Sequence, residues 1–365
     1  MMNDELYKKL REWMDNVTPM GMKETENAAE LELLKCLFTP DGAEIALHLT
    51  PDLKPLEALA HLCGRDVRNV EVALDKLYLD GLIRRHTDEA GRKGYASLAF
   101  VPGLMENVLF LRRSDKKLHS LIYRVFKDNR RNSFNVETGM TRTVTVGQTV
   151  EARSSTAPYQ DIVELIRKAP EPIMVFPCHC KIYKADRCNA PMEVCLAFGD
   201  HASFYMDTGV AGRRIDVEEA LGILGIAEDA GLVHQFVNYT GDDLSWLCNC
   251  CGCCCINMSA SIKFYPDGRV RNIDPSAYIA TIDPGICVGC GLCVERCQVR
   301  ALEMKDDVCI VKEERCIGCG QCVGACAVDA IRLAGREAQG IPKPPRDWRE
   351  LIDRQHKERF LKSRG

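Results

Sequence analysis

Apolar positions across residues 28–49 recur at helical spacing (Leu31, Leu33, Leu34, Leu37, Ile45, Leu47), which predicts one helix over that stretch. Residues 56–63 read as a second helix closed by Gly64. A third, capped by Asp66 or Asn69, buries Val70, Ala73, Leu74 and Leu77 before Gly81 stops it. Residues 84–100 follow as a hairpin turning at Gly91-Arg-Lys-Gly94. Across 104–131 a further helix sets Leu118, Leu121, Ile122, Val125 and Phe126 opposite a crowd of Lys and Arg. Residues 132–158 have few large apolar groups and predict an extended linker.

Beyond the linker, strand and helix patterns alternate. Residues 161–168 predict a capped helix and 172–177 the strand after it. Asp216-Val-Glu-Glu219 has the capping-box pattern of a helix running to Gly231, followed by a strand over 232–237. Residues 301–311 alternate about Lys-Asp-Asp as a hairpin does. After Ile341-Pro-Lys-Pro-Pro345 the chain ends in a basic helix, and residues 336–365 carry nine Lys/Arg against five Asp/Glu. The resulting division is 1–103, 104–158, 159–258, 259–335 and 336–365, an α+β multidomain protein with an α/β middle domain.

The chain's 365 residues suit two or three domains, and a net charge of −4 selects no partner class. The cysteines change the picture. Of 21, nineteen lie beyond residue 177, in clusters too tight for a regular disulfide framework. The chain begins without the apolar core of a signal peptide, and no run approaches a membrane span. The expectation is a cytoplasmic protein that keeps its thiolates reduced, from an anaerobic host.

The sharpest signal is Cys287-x2-Cys290-x2-Cys293-x3-Cys297, repeated as Cys316-x2-Cys319-x2-Cys322-x3-Cys326. This spacing wraps three thiolates around one iron–sulfur cubane and sends the fourth to the other. Cys287, Cys290, Cys293 and Cys326 are therefore assigned to one [4Fe-4S] cluster, and Cys316, Cys319, Cys322 and Cys297 to a second. Zinc is the alternative, but its sites pair knuckles over a longer gap. The stretch resembles a bacterial-type two-cluster ferredoxin domain spanning 278–335. It departs from that family after each fourth cysteine, where Gln298 and Ala327 replace the usual proline.

A second cysteine-rich region begins where the predicted strand meets Cys178-His-Cys180, followed by Cys188 and Cys195. It continues at Cys248-Asn-Cys250-Cys251-Gly-Cys253-Cys254-Cys255, six thiols in eight residues. Neighbouring side chains in extended chain point to opposite faces, so these six cannot all meet one cluster. Two centres share this loop, or some of its cysteines are not ligands. The preferred scheme gives Cys178, Cys180, Cys188 and Cys195 one [4Fe-4S] cluster and four of the loop cysteines another. A mixed arrangement, in which the loop completes a site begun at Cys178, stays open. Zinc is the alternative for the first series, and His179, His201 and His234 are read as hydrogen-bonded polar residues. Cys36, Cys63 and Cys309 are read as buried small hydrophobes.

The helix, helix, helix, hairpin order of the head looks like a winged helix. Residues 30–100 hold nine Lys/Arg and twelve Asp/Glu, which argues against nucleic acid. Winged-helix-like head, C-x-C series, CNCCxCCC loop and ferredoxin pair together resemble multi-cluster iron–sulfur proteins of anaerobic bacteria. The resemblance implies electron transfer to a redox partner protein or among oxidoreductase subunits, rather than a stand-alone enzyme. No dinucleotide or P-loop fingerprint accompanies it. The alternatives are a redox-responsive winged-helix regulator of DNA, and a reductase whose unusual cluster within 178–255 binds substrate.

Overall fold

The computed structural model describes the chain apart from residues 1, 19–20, 26, 134–135, 146–161, 185, 210–211, 241–244, 266–267, 337–341 and 363–365. It contains two compact units. The first comprises residues 1–136, 203–211 and 348–365, and the second residues 137–202 and 212–347.

In the first unit the helices Met2–Val17, Ala29–Leu37, Pro40–Ala46, Leu56–Cys63 and Val67–Leu79 accompany a three-stranded antiparallel sheet. Its strands β1 (Lys54–Pro55), β2 (Ile83–Thr87) and β3 (Lys93–Ser97) lie in the order β1-β3-β2. The single helix expected over 28–49 is two. Proline disfavours the helical conformation in the residue before it, so Thr39 is extended and its Oγ1 accepts the Gly42 N–H at 3.2 Å as the cap of a new helix. Likewise 104–131 holds two helices, Met105–Leu111 and Lys116–Ser133, the second begun by Asp115 accepting the Leu118 N–H at 2.9 Å.

Leu10, Met14, Leu33, Leu34 and Leu74 are fully buried in this unit. The C-terminal helix Trp348–Lys362 belongs to it, burying Leu351 and Ile352. Cys36 is exposed and Cys63 half-buried, so neither is the core residue expected from its helical face.

The second unit is built on a seven-stranded sheet. Its strands are β4 (Thr141–Thr143), β5 (Ile173–Pro177), β6 (Glu193–Phe198), β7 (Arg213–Ile215), β8 (Val233–Val237), β9 (Trp246–Cys250) and β10 (Ile273–Asp274). The order is β10-β4-β8-β9-β6-β5-β7. Strand β4 falls within the stretch expected to be a linker. The rest of that linker from residue 146 and the predicted cap Asp161 lie outside the described residues, as does Ile341. The alternation of strand and helix that reads as α/β folds here into a sheet antiparallel at every pairing except β4 with β10. Helix Val217–Asp229 starts as its capping box predicts, with Asp216 Oδ1 accepting the Glu219 N–H at 2.8 Å.

The same unit contains the C-terminal cysteine repeat. Strand β11 (Tyr278–Ile282) pairs with β14 (Ile331–Gly335), and β12 (Leu302–Lys305) with β13 (Val308–Val311). The β12–β13 turn places Asp306 and Asp307 at φ of 48° and 61°, a conformation that short acidic residues tolerate. Among the described residues no helix is long and apolar enough to cross a membrane.

Candidate metal centres

Each C-terminal repeat folds as a loop followed by one short helix, Leu292–Arg296 in the first and Gln321–Gly324 in the second. Gly289 and Gly318 take positive φ where the loops pass against the backbone of the β12–β13 turn and of β11. A Cβ there would stand 2.4 Å from the Asp307 carbonyl oxygen and 2.0 Å from that of Tyr278. Two cavities result. Cys287, Cys290, Cys293 and Cys326 line one, with Ile331 and Val328; Cys297, Cys316, Cys319 and Cys322 line the other, with Leu302 and Leu333.

The donor set fits a cubane. Burial pushes the Cys319 thiol up to about 12 and raises Cys297 and Cys322 as well, so ionising these sulfurs calls for cations beside them. Backbone donors are already aimed at two of them: the Ala301 N–H reaches Cys297 Sγ and the Ala330 N–H reaches Cys326 Sγ, each at 3.2 Å. Cys309 is buried, as expected, but it also touches the site. Its Sγ lies 3.4 Å from Cys293 Sγ, and its N–H points at Cys287 Sγ at 3.5 Å.

The ten cysteines of the middle region sort differently from the expected four and four. Cys248 and Cys250 are two apart on β9 and share a face. Strands β6 and β9 pair with Leu196 opposite Leu247, which sets Cys195 beside Cys248. Cys178 directly follows β5, anchored by its N–H on the Met192 carbonyl at 2.8 Å, and Cys180 lies in the turn of helix His179–Ile182 that comes next. Cys255 caps helix Ile256–Phe264, its Sγ accepting the Met258 N–H at 3.5 Å.

These six thiols close a ring of neighbours: Cys178, Cys180, Cys255, Cys250, Cys248, Cys195 and back to Cys178. Each thiol's ionisation is coupled through thiol–thiol contacts to that of its two neighbours in the ring.

Cys188 leaves this set. It joins Cys251, Cys253 and Cys254, whose sulfurs all lie within 4.8 Å of one another. The loop's six cysteines thus divide three and three, because Cys251 points away from the face that Cys250 occupies and the turn after it carries Cys253 and Cys254 to the same side. Lys181 Nζ on the Pro191 carbonyl (2.7 Å) and Lys184 Nζ on that of Cys253 (2.6 Å) hold the Cys188 loop in place.

The histidines are occupied elsewhere. His234 is fully buried, with Nδ1 2.5 Å from Asn249 Oδ1 and Nε2 3.1 Å from Glu228. His179 packs on the Tyr183 ring with centroids 5.8 Å apart.

Several contacts tie the C-terminal repeat to the ring. Cys250 and Cys255 share one apolar core with Val299, Ala301 and Ile317, and Cys248, Cys297, Cys316 and Cys319 pack against it. Gln298 Oε1 accepts the Gly252 N–H at 2.7 Å, and Gln321 Nε2 donates to the Leu232 carbonyl at 2.6 Å. The Arg296 guanidinium caps the end of helix Val217–Asp229 through the carbonyls of Glu228 (2.6 Å) and Asp229 (2.8 Å). Sequence reasoning passed over these residues, although glutamine in proline's usual place was a visible signal at Gln298.

Residues 286–330 match the family of the 4Fe-4S dicluster domain. No curated protein matches the chain.

Proposed function

We propose that the chain is a one-electron transfer protein, or the electron-transferring subunit of an anaerobic oxidoreductase, working between its ferredoxin-type domain and a further iron–sulfur centre in the six-thiol ring. The ferredoxin-type domain is the starting point. When bound, a cubane supplies a one-electron couple with little geometric change.

This chain's residues would do the rest. Cys287, Cys290, Cys293 and Cys326 would hold the outer cluster, and Cys297, Cys316, Cys319 and Cys322 the inner one. Ala301 and Ala330 donate N–H bonds to ligand sulfurs, which stabilises their negative charge and favours the reduced state. The apolar lining of both cavities limits water around the sulfurs, with Cys290 at the solvent-facing edge.

The observation that carries the reading is the common core in which ring cysteines Cys248, Cys250 and Cys255 pack with Cys297, Cys316 and Cys319. Ligands of one centre against those of the next make a short electron path. The ring's members are buried or half-buried, which suits a relay better than a substrate site. Tyr205, within the 178–255 stretch of the substrate-site alternative, is buried against Phe110 in the first unit, ring centroids 5.9 Å apart. The donor and acceptor would be redox proteins of the cytoplasm. The head, whose strand order β1-β3-β2 supports the winged-helix likeness, would serve as a scaffold for docking.

The test is iron and acid-labile sulfide per chain on protein purified without oxygen. Two cubanes account for about eight irons, so roughly twelve or more supports a third centre, and Cys250→Ser should then alter one reducible signal while leaving two. A count of about eight in the intact protein would remove the ring from the electron path.

A further inference from the structure

The set Cys188, Cys251, Cys253 and Cys254 has a geometry of its own. Cys188 Sγ lies 3.7 Å from Cys251 Sγ and 3.8 Å from Cys254 Sγ, and Cys253 Sγ lies 3.7 Å from Cys254 Sγ. A single zinc ion with Zn–S bonds of about 2.3 Å sets the sulfurs at the corners of a tetrahedron about 3.8 Å on edge. A cubane keeps four irons between its ligands and spreads their sulfurs to roughly 6 Å. The observed spacing has room for one ion and none for a cubane.

We infer that these four thiolates bind one zinc ion, separate from the iron–sulfur centres. The site's exposure favours zinc over a lone iron. Cys251 and Cys254 are buried and Cys188 is half-buried, but Cys253 faces solvent, and a redox-inert ion tolerates an open edge. The surroundings suit a dianionic tetrathiolate. The Cys188 N–H points at Cys254 Sγ at 3.4 Å, and the Lys184 ammonium lies on the Cys253 carbonyl. The ion would join the two segments that supply the ring, since Cys188 lies between Cys180 and Cys195, and Cys251 to Cys254 between Cys250 and Cys255. Its role is a clamp on the two loops, independent of whether the ring carries electrons.

The experiment uses full-length protein produced anaerobically with iron and zinc both in excess, with metal analysis and X-ray absorption at the zinc edge. The expected result is about one zinc per chain, surrounded by four sulfurs at about 2.3 Å with no second metal close by. Zinc should be lost in Cys253→Ser, whose exposed position makes misfolding least disruptive, and in Cys188→Ser, while the ferredoxin irons remain. Absence of zinc in the intact protein, iron in its place, a shell containing nitrogen or oxygen, or zinc retained in both variants would each overturn the assignment. The iron and sulfide count reports separately on the electron-transfer reading.

Discussion

Gln298 Oε1 accepts the Gly252 N–H at 2.7 Å, joining the residue after the fourth ferredoxin cysteine to the turn that carries Cys251 and Cys253. A proline at 298 could not make this bond. The two backbones are equally close, since a Cβ on Gly252 would stand 2.1 Å from the Gln298 carbonyl oxygen. Replacing Gln298 by Ala should cost about 1 kcal/mol of stability and slow electron passage from the ferredoxin clusters to the ring, with the ferredoxin iron unchanged. Gly252→Ala should be worse, because backbone must move to admit the methyl group. Denaturant midpoints and single-turnover reduction rates on the two variants check both statements.

Cys309 offers a second, more local test. Burial pushes its thiol up to about 12, so it remains protonated, and with Cys293 ionised as a ligand the 3.4 Å contact between the two sulfurs leaves Cys309 as the S–H donor. Such a bond stabilises the more negative, reduced cluster. Cys309→Val keeps the apolar packing and removes the donor. The potential of one cluster should fall by about 20–40 mV, the equivalent of a weak hydrogen bond at 59 mV per tenfold, and the other should stay in place. Redox titration followed by electron paramagnetic resonance would resolve the two; an unshifted pair would show that Cys309 only packs.

The head should not bind DNA. Lys93 Nζ contacts Glu71 at 2.8 Å and Asp75 at 2.5 Å, and Arg85 reaches Asp75 at 3.1 Å and Asp207 at 2.6 Å. Arg85 and Lys93 of the hairpin are thus neutralised by acids of helix Val67–Leu79 and of residues 203–211, within the same unit. Phosphate neutralisation needs free cations on the reading face. Mobility-shift assays at physiological salt should show no complex in either the metal-loaded or the metal-free form. A salt-dependent shift in either would return the regulator reading to the front.

A pH dependence follows from His356, whose Nε2 lies 3.2 Å from the Thr18 carbonyl oxygen. Burial, followed by the nearby Arg359 charge, holds this imidazole below its ordinary value. A depressed folded-state value means that the unfolded chain takes up the proton first. The stabilising contribution is therefore whole above about 6.5 and is lost as pH falls through the lower folded-state value. Hydrogen exchange of helix Trp348–Lys362 should accelerate as pH falls below about 6.5, after correction for intrinsic rates, and His356→Gln should flatten that response.

Legibility from sequence followed the range of the interactions. The helix starts at Asp66 and Asp216 and the turn at Asp306-Asp307 are set by residues within four positions of each other, and they stand where the pattern put them. The breaks at Pro40 and Asp115 were equally local and were hidden only by apolar periodicity running across them. Strand β4 could not be read, because three residues with no alternation become a strand only when β8 and β10 flank them.

The two C-terminal repeats carry their chemistry in their spacing, because three thiols and the glycines between them lie within one loop, and short-range backbone geometry suffices to gather them around one cavity. The middle cysteines had no such guide. Their sorting into a six-membered ring and a group of four rests on Cys195 meeting Cys248 across the register of β6 and β9, and on the alternation that sends Cys250 and Cys251 to opposite sides. Register is a long-range property, fixed by the whole sheet's packing, and only the tertiary structure decided it.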